Sequence, residues 1–230
     1  MPGLPQDQTA TPEIHLRPYQ PGDREALFRI AADTAFFGAP IEIYMEDRRI
    51  FLESFYAYYT DYEPEHCWIA CADGQVAGFL TGSTDTTRQT EITDRVLVPR
   101  VRRQVLRGEY RLGPKSLRYL FELWLAGRRD EGAGADLQRY PAHLHINVDA
   151  RWRGYGLGKK LMLAYLDQLR RLGIPGVFLQ TTSRNQTACR LYENLGFQLL
   201  AAAPSKMWRW KFKEALENRC YGLVLGGETE

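Results

Sequence analysis

At 230 residues, with 44% hydrophobic and 25% charged residues, the chain has the composition of a globular protein, and disorder is excluded beyond its ends. A formal net charge of +2, from 30 Lys and Arg against 28 Asp and Glu, gives no bulk reason to expect a nucleic-acid or membrane partner. Cys67 and Cys71 share one expected strand while Cys189 and Cys220 lie far away, with no CxxC and no neighbouring histidine, which argues against a metal site and for reduced thiols. No window is long and apolar enough for a membrane span and the first residues carry no leader pattern, so a cytoplasmic protein is expected.

In chain order, residues 1–12 read as a flexible tail and residues 13–230 as one domain. Ile14–Pro18 predicts a strand. Pro21-Gly-Asp23 breaks the chain, with Asp23 as an N-cap for a helix whose apolar residues Leu27, Ile30 and Ala31 follow at helical spacing. A second helix is expected from about Ile43 to Tyr58. Two β-rich runs then flank Asp73-Gly74, a pair that favours the type I′ hairpin turn. Residues 84–140 carry helical patterns around Val98, Val101 and Val105 and around Leu117, Leu120, Phe121 and Trp124, so a helical insertion at about 87–137 is expected ahead of the central strand.

His143–Val148 reads as that central strand. Three glycines at alternate positions, Gly154, Gly156 and Gly158, follow it beside Arg151 and Arg153, and an amphipathic helix, Lys159–Leu172, runs to the stop signal Gly173-Ile-Pro175. A strand ending in a glycine turn at a helix start is an anion cradle: glycine admits positive φ and close backbone approach, and the first helical amides are free to bind phosphate. A strand at Gly176–Thr182, a short helix capped by Ser183 or Asn185, and a strand opening at Phe197–Leu200 come next. Two further strand-like runs, Met207–Phe212 and Cys220–Gly227, enclose a short helical piece at 213–219. The result is an α/β (α+β) chain: a mixed central sheet of about 6–7 strands with helices on both faces.

Two segments at a fixed separation, Arg153-Gly-Tyr-Gly-Leu-Gly158 and Asn185-Gln-Thr-Ala-Cys-Arg-Leu-Tyr-Glu-Asn-Leu-Gly-Phe197, together resemble the GNAT family of N-acetyltransferases. The insertion and Tyr140-Pro-Ala-His-Leu-His-Ile146 are similar to the subgroup that includes the acetyltransferase-like domain of animal O-GlcNAc hydrolase. The resemblance implies the GNAT fold and acetyl-CoA as cofactor. It places the pantetheine arm on the backbone of Ile146 and Val148, and the pyrophosphate on Arg151, Arg153, Gly154, Tyr155, Gly156, Leu157, Gly158 and Lys159. Asn185 and Tyr192 follow on the next helix. It implies acetyl transfer to an amine acceptor, with Tyr192 as general acid; the alternatives are a core tyrosine at 192 and a helix N-cap at 185.

The base is open. Strand alternation puts His143, His145 and Asn147 on one face, so His145 is the first candidate, with Asn147 beside it, and a hydrogen-bonded structural histidine is the competing reading. Phe36, Phe37, Tyr59, Asp61 and Tyr62 are candidates for an aromatic, acidic acceptor wall that holds a cationic amine, unless they are core and solvated loop. Two other classes are weighed: a CoA-binding module with little chemistry, and a dinucleotide oxidoreductase. The latter requires an acid where the next strand ends in Gln180-Thr-Thr182. Assembly is open between a monomer and a homodimer.

Overall fold

The computed structural model describes residues 12–129 and 131–226; the tail expected at 1–12 thus falls, but for Pro12, outside the described residues. One seven-stranded sheet runs in the order β1-β2-β3-β4-β5-β7-β6. β1 (Ile14–Pro18), β2 (Cys67–Ala72), β3 (Gln75–Ser83) and β4 (Ala142–Val148) are consecutive antiparallel neighbours. The turn between β2 and β3 holds both central residues at positive φ, +48° at Asp73 and +74° at Gly74, as a two-residue hairpin requires. β4 pairs in parallel with β5 (Gly176–Thr182), which pairs antiparallel with β7 (Leu216–Val224), and β6 (Gln198–Ser205) closes that edge.

Helices cover both faces. On one face lie α1 (Arg24–Thr34) and a continuous helical rod made of α2 (Arg48–Phe51), a π-helical turn and α3 (Ala57–Tyr62), packed through Leu27, Ile30, Tyr56 and Tyr59 on Ile69 and Phe79 of the sheet. The insertion supplies α4 (Thr86–Ile92), α5 (Val98–Leu106) and α6 (Pro114–Arg128). It joins the same core through Leu97, Val101 and Tyr110. On the other face α7 (Leu157–Arg171) and α8 (Gln186–Asn194) bury Leu161, Met162, Tyr165 and Tyr192 against Leu80, Leu144 and Leu179.

Several expectations shift. The rod after α1 begins at Arg48, where Asp47 caps it by accepting from Arg49 N at 3.1 Å, rather than at Ile43. Asp23 precedes α1 but makes no cap to it; its carboxylate is held by Arg17, at 2.6 and 2.7 Å, and by the Gln20 amide. The C-terminal reading changes most. Met207–Phe212 is a turn and not a strand, and the piece expected as helical enters β7 from Leu216. The alternation of aromatic and basic residues at 206–213 imitates a half-buried strand, but here it comes from a loop whose rings pack inward while its cations face water.

The insertion is clasped rather than appended. The Glu46 carboxylate accepts from the amides of Gly113, Lys115 and Ser116 at 2.9 to 3.1 Å and from the Ser116 hydroxyl, filling the free donors at the start of α6 from another element. Burial pushes Glu46 up, but these hydrogen bonds outweigh it and bring the carboxyl down to about 2.

Candidate active site

β4 and β5 pair only at Ala142 with Val177 and at His143 with Phe178, then part. The Asp149 amide donates to Ala77 O on β3 at 2.9 Å, and successive amides of a strand face opposite edges. The N–H groups of Ile146 and Val148 therefore face the gap that β5 leaves. A cleft of about 620 Å³ opens there, bordered by Ile146, Asn147 and Val148, by the glycine turn and the start of α7, and by Asn185, Ala188, Leu191 and Tyr192.

The turn is glycine for a backbone reason. Gly154 and Gly156 have φ of +89° and +75°, and Gly156 is the N-cap of α7 with no side chain satisfying the amides after it. At neither position would a Cβ meet another atom within 4 Å. Gly158 differs: its φ is ordinary, and a Cβ there would touch Leu191 at 3.4 Å. Trp152, also on the cleft, buries its indole N–H without a partner among the described residues. Free amides at a positive helix end, an unpaired strand edge and an orphan donor fit a long ligand with an amide arm and a pyrophosphate.

Of the residues expected here, the structure brings together Ile146, Asn147, Val148, Arg153, Gly154, Gly156, Leu157, Gly158, Lys159, Asn185, Tyr192 and Phe37. Asn185 also caps α8, its side-chain oxygen accepting from Ala188 N at 3.4 Å. Arg153 reaches across the mouth to donate to Gly38 O at 3.1 Å. Tyr192 is buried, which raises its phenol well above the usual value and keeps it protonated.

Others are elsewhere. Arg151 is turned onto Asp149, with contacts of 3.0 and 3.2 Å, and so is not a free cation in the cradle; Tyr155 stands exposed against Trp152. Tyr62 stacks on Tyr58, Asp61 pairs with Arg24, and neither borders the cleft. Phe36 is buried behind Phe37. Tyr59 lies under the sheet, its hydroxyl 2.7 Å from His143 Nε2. The expected acidic and aromatic wall is therefore split: Phe37 borders the cleft, Phe36 and Tyr59 are core, and Asp61 and Tyr62 lie off the cleft. Among the described residues the cleft lining has no acid and three cations, Arg153, Lys159 and Arg184.

The face of β4 that carries His143, His145 and Asn147 forms a polar layer that runs from buried His143 to Asn147 on the cleft. Thr86 Oγ1 donates to Pro141 O at 2.7 Å, so it accepts from His143 Nδ1, and His143 Nε2 accepts from Tyr59. Burial lowers His143 to about 4. His145, set among Phe55, Tyr56 and Tyr59, does not border the cleft, and burial first, then His143, lowers it to about 3. Asn147 donates to Thr34 Oγ1 at 2.7 Å and accepts from Tyr56 at 3.0 Å.

Sequence reasoning missed Thr34 and Gly38 at the end of α1, and Arg184 and Thr187 near the start of α8. It also missed the packing of Trp208 and Phe212 against Phe37, with ring centroids 5.5 and 5.1 Å apart. The Phe36-Phe37-Gly38 turn left one trace, a glycine after two aromatics; its geometry, with φ of +50° at Phe37 and +87° at Gly38, is readable only in three dimensions.

Comparison with known proteins agrees with this geometry. Residues 35–106 and 129–197 match the model of the acetyltransferase (GNAT) family. A mycothiol acetyltransferase of Nocardiopsis dassonvillei is 48% identical over 54 residues, 24% of this chain and 16% of that protein. An L-methionine sulfoximine/L-methionine sulfone acetyltransferase of Salmonella typhimurium is 33% identical over 75 residues, 31% of this chain and 44% of that one. The matched segments thus span less than half of these relatives. Among solved structures, SsHAT superposes with a TM-score of 0.72 at 28% identity, covering 94% of this chain and 100% of that one. A putative acetyltransferase from Salmonella typhimurium with acetyl-CoA has the same fold, with a TM-score of 0.57 at 18% identity over 95% of this chain and 97% of that one.

Proposed function

Because the chain belongs to the GNAT family of acetyltransferases, whose acyl donor is acetyl-CoA, we propose that its cleft transfers the acetyl group to a primary amine of a small molecule, amino sugar or peptide by direct attack within a ternary complex. The observation that carries the reading is the parting of β4 from β5, which leaves the Ile146 and Val148 amides on the same cleft as the glycine turn and Tyr192. Bound acetyl-CoA supplies a thioester, an acyl group already joined to a good leaving group. The strand edge at Ile146 and Val148 receives the pantetheine arm as an added strand and offers an N–H to the carbonyl oxygen as charge develops there. The amides from Gly154 to Lys159, with the side chains of Arg153 and Lys159, hold the pyrophosphate.

Tyr192 gives its O–H proton to the departing sulfur as the C–S bond breaks, and the proton that the newly acylated nitrogen loses restores the phenol, so the products are the amide and the CoA thiol. Burial keeps that proton in place until negative charge appears. Asn147 is a positioning residue, since its amide is spent on Thr34 and Tyr56. His145, near 3 and off the cleft, is a poor base for an ammonium with a reference pKa of about 10. The acceptor therefore enters as the neutral amine. The test is thiol release from acetyl-CoA across a panel of amines, with both substrates varied. Intersecting initial-rate lines are expected. Parallel lines would replace direct attack by an acyl-enzyme, and tight CoA binding without turnover would leave only a binding module.

A further inference from the structure

The loop between β6 and β7 is the element of the cleft's rim that the transfer chemistry leaves unused. Lys206, Arg209, Lys211 and Lys213 are exposed on it and form no ion pair among the described residues. Between them Trp208, Trp210 and Phe212 are half-buried. The loop is built firmly. The buried Glu131 carboxylate accepts from the amides of Lys206 and Met207 at 2.7 and 3.3 Å, and Trp208 packs on Phe36 and Tyr44.

It also sits at the cleft. Phe37 and Arg184 both border the cavity, and Phe212 meets each of them, the Arg184 guanidinium lying 4.1 Å from its ring centroid. On the insertion, Arg118 stands 4.4 Å over Trp210 and extends the cationic surface. The acid within residues 206–214 is Glu214, and it is spent on Arg184.

We propose that this loop selects the acceptor: the amine is carried by an acidic peptide, whose carboxylates lie along Lys206, Arg209, Lys211 and Lys213 while the amine enters past Phe37. The inference rests on the acetyl-transfer reading for the identity of the acceptor, and on the loop alone for its charge. A cationic acceptor is disfavoured because the cleft lining carries no acid among the described residues and Asp61 is held by Arg24 elsewhere. Nucleic acid is disfavoured because one face of each ring is already engaged, Trp208 by Tyr119, Trp210 by Arg118 and Phe212 by Arg184, which leaves a poor stacking platform for successive bases. Unpaired cations spread over an eight-residue segment exceed the reach of one small anion and suit a chain bearing several.

The experiment uses the full chain saturated with CoA and three fluorescein-labelled peptides, each with one central lysine flanked by glutamates, glutamines or arginines. Anisotropy is expected to show the acidic peptide binding at least about tenfold more tightly than the neutral one, with the difference lost near 1 M salt, where the screening length falls to about 3 Å. Lys206→Glu/Arg209→Glu/Lys211→Glu is expected to invert the order while CoA affinity stays within about twofold. Should that variant fold poorly, Lys211→Gln and Lys213→Gln each weaken only the acidic peptide and flatten its salt dependence. Equal binding of the three peptides, preference for the arginine peptide, or tighter binding of a DNA oligonucleotide overturns the proposal. The same peptides are then offered as acceptors with acetyl-CoA beside the amine panel: an acidic peptide that binds through the loop yet receives no acetyl while another amine does overturns the proposal and leaves the transfer reading standing, whereas no turnover with any amine refutes the transfer reading instead.

Discussion

The two ends of the cleft are built from different material. The end proposed for the donor is backbone: the strand edge at Ile146 and Val148 and uncapped amides after Gly156. The end proposed for the acceptor is side chain, drawn from distant stretches of sequence: Thr34 and Phe37, Asn147 and Arg184, with the rings of Trp208 and Phe212 packed behind Phe37. A backbone site tolerates almost any neighbouring side chains but demands glycine where φ is positive, so it leaves a compact and readable trace. A side-chain wall makes no such local demand, and its members are indistinguishable from core residues until the chain is folded.

The sharpest way to break the contrast is inside the glycine turn. Gly156→Val forces a β-branched residue to φ of +75°, at a cost of about 1–2 kcal/mol for the left-handed backbone alone. Acetyl-CoA affinity measured by calorimetry is expected to fall about tenfold or more. Gly158→Ala, at an ordinary φ with 3.4 Å to Leu191, is expected to stay within about threefold. If the two variants lose affinity equally, close approach rather than φ governs the turn. Tyr192→Phe probes where the two ends meet. It is expected to lower kcat by roughly 10²-fold with KM for acetyl-CoA nearly unchanged, and an unaltered kcat would reduce Tyr192 to a core residue.

Legibility in the sequence follows the same division. The sheet, the helices on both faces, the hairpin at Asp73-Gly74 and the glycine turn were readable because periodicity and backbone demands write them locally. The loop at 206–213 was misread because alternating rings and cations satisfy a strand's period of two, and only its packing on Phe36 and Phe37 decides otherwise. His145 lies on the expected face, but alternation cannot tell which residues of a face border a cleft, as Asn147 does, and which pack against rings such as Tyr56 and Tyr59, as His145 does.

The histidines of that layer have their own signature in acid. His143 folds as the neutral base at about 4, against an ordinary value of 6.5, so below pH 6.5 the unfolded chain takes up a proton that the folded chain refuses. Its contribution to stability is present above pH 6.5 and is lost as pH falls from there to about 4, with a slope of up to about 1.4 kcal/mol per pH unit. Denaturant midpoints across that range are expected to show the decline, and His143→Gln to make it shallower, the remainder coming from His145, which is lowered from the same 6.5 to about 3. His145→Gln, by contrast, is expected to leave the pH profile of kcat/KM governed by the acceptor amine alone; a lost inflection would restore His145 as a base.

The smallest effect expected concerns the clasp that holds the insertion. Glu46 is lowered from 4.5 to about 2 in the folded chain, the hydrogen bonds at the start of α6 outweighing burial. Because the folded pKa lies below the unfolded one, its contribution is whole above pH 4.5 and is lost as pH falls from 4.5 through about 2. The histidine window, which His145 extends to about 3, overlaps this one, so the Glu46 contribution is read from the difference between wild type and Glu46→Gln across pH 7 to pH 2. Glu46→Gln keeps the shape but removes the charge from the free amides of Gly113, Lys115 and Ser116. It is expected to lower stability modestly at pH 7 and to lessen the decline below pH 4.5, to which the similarly lowered Asp47 and Asp149 still contribute, with hydrogen exchange rising first at the start of α6. Exchange that rises equally through β4 would mean that the clasp and the sheet unfold as one unit, and that the insertion belongs to the core that positions the cleft.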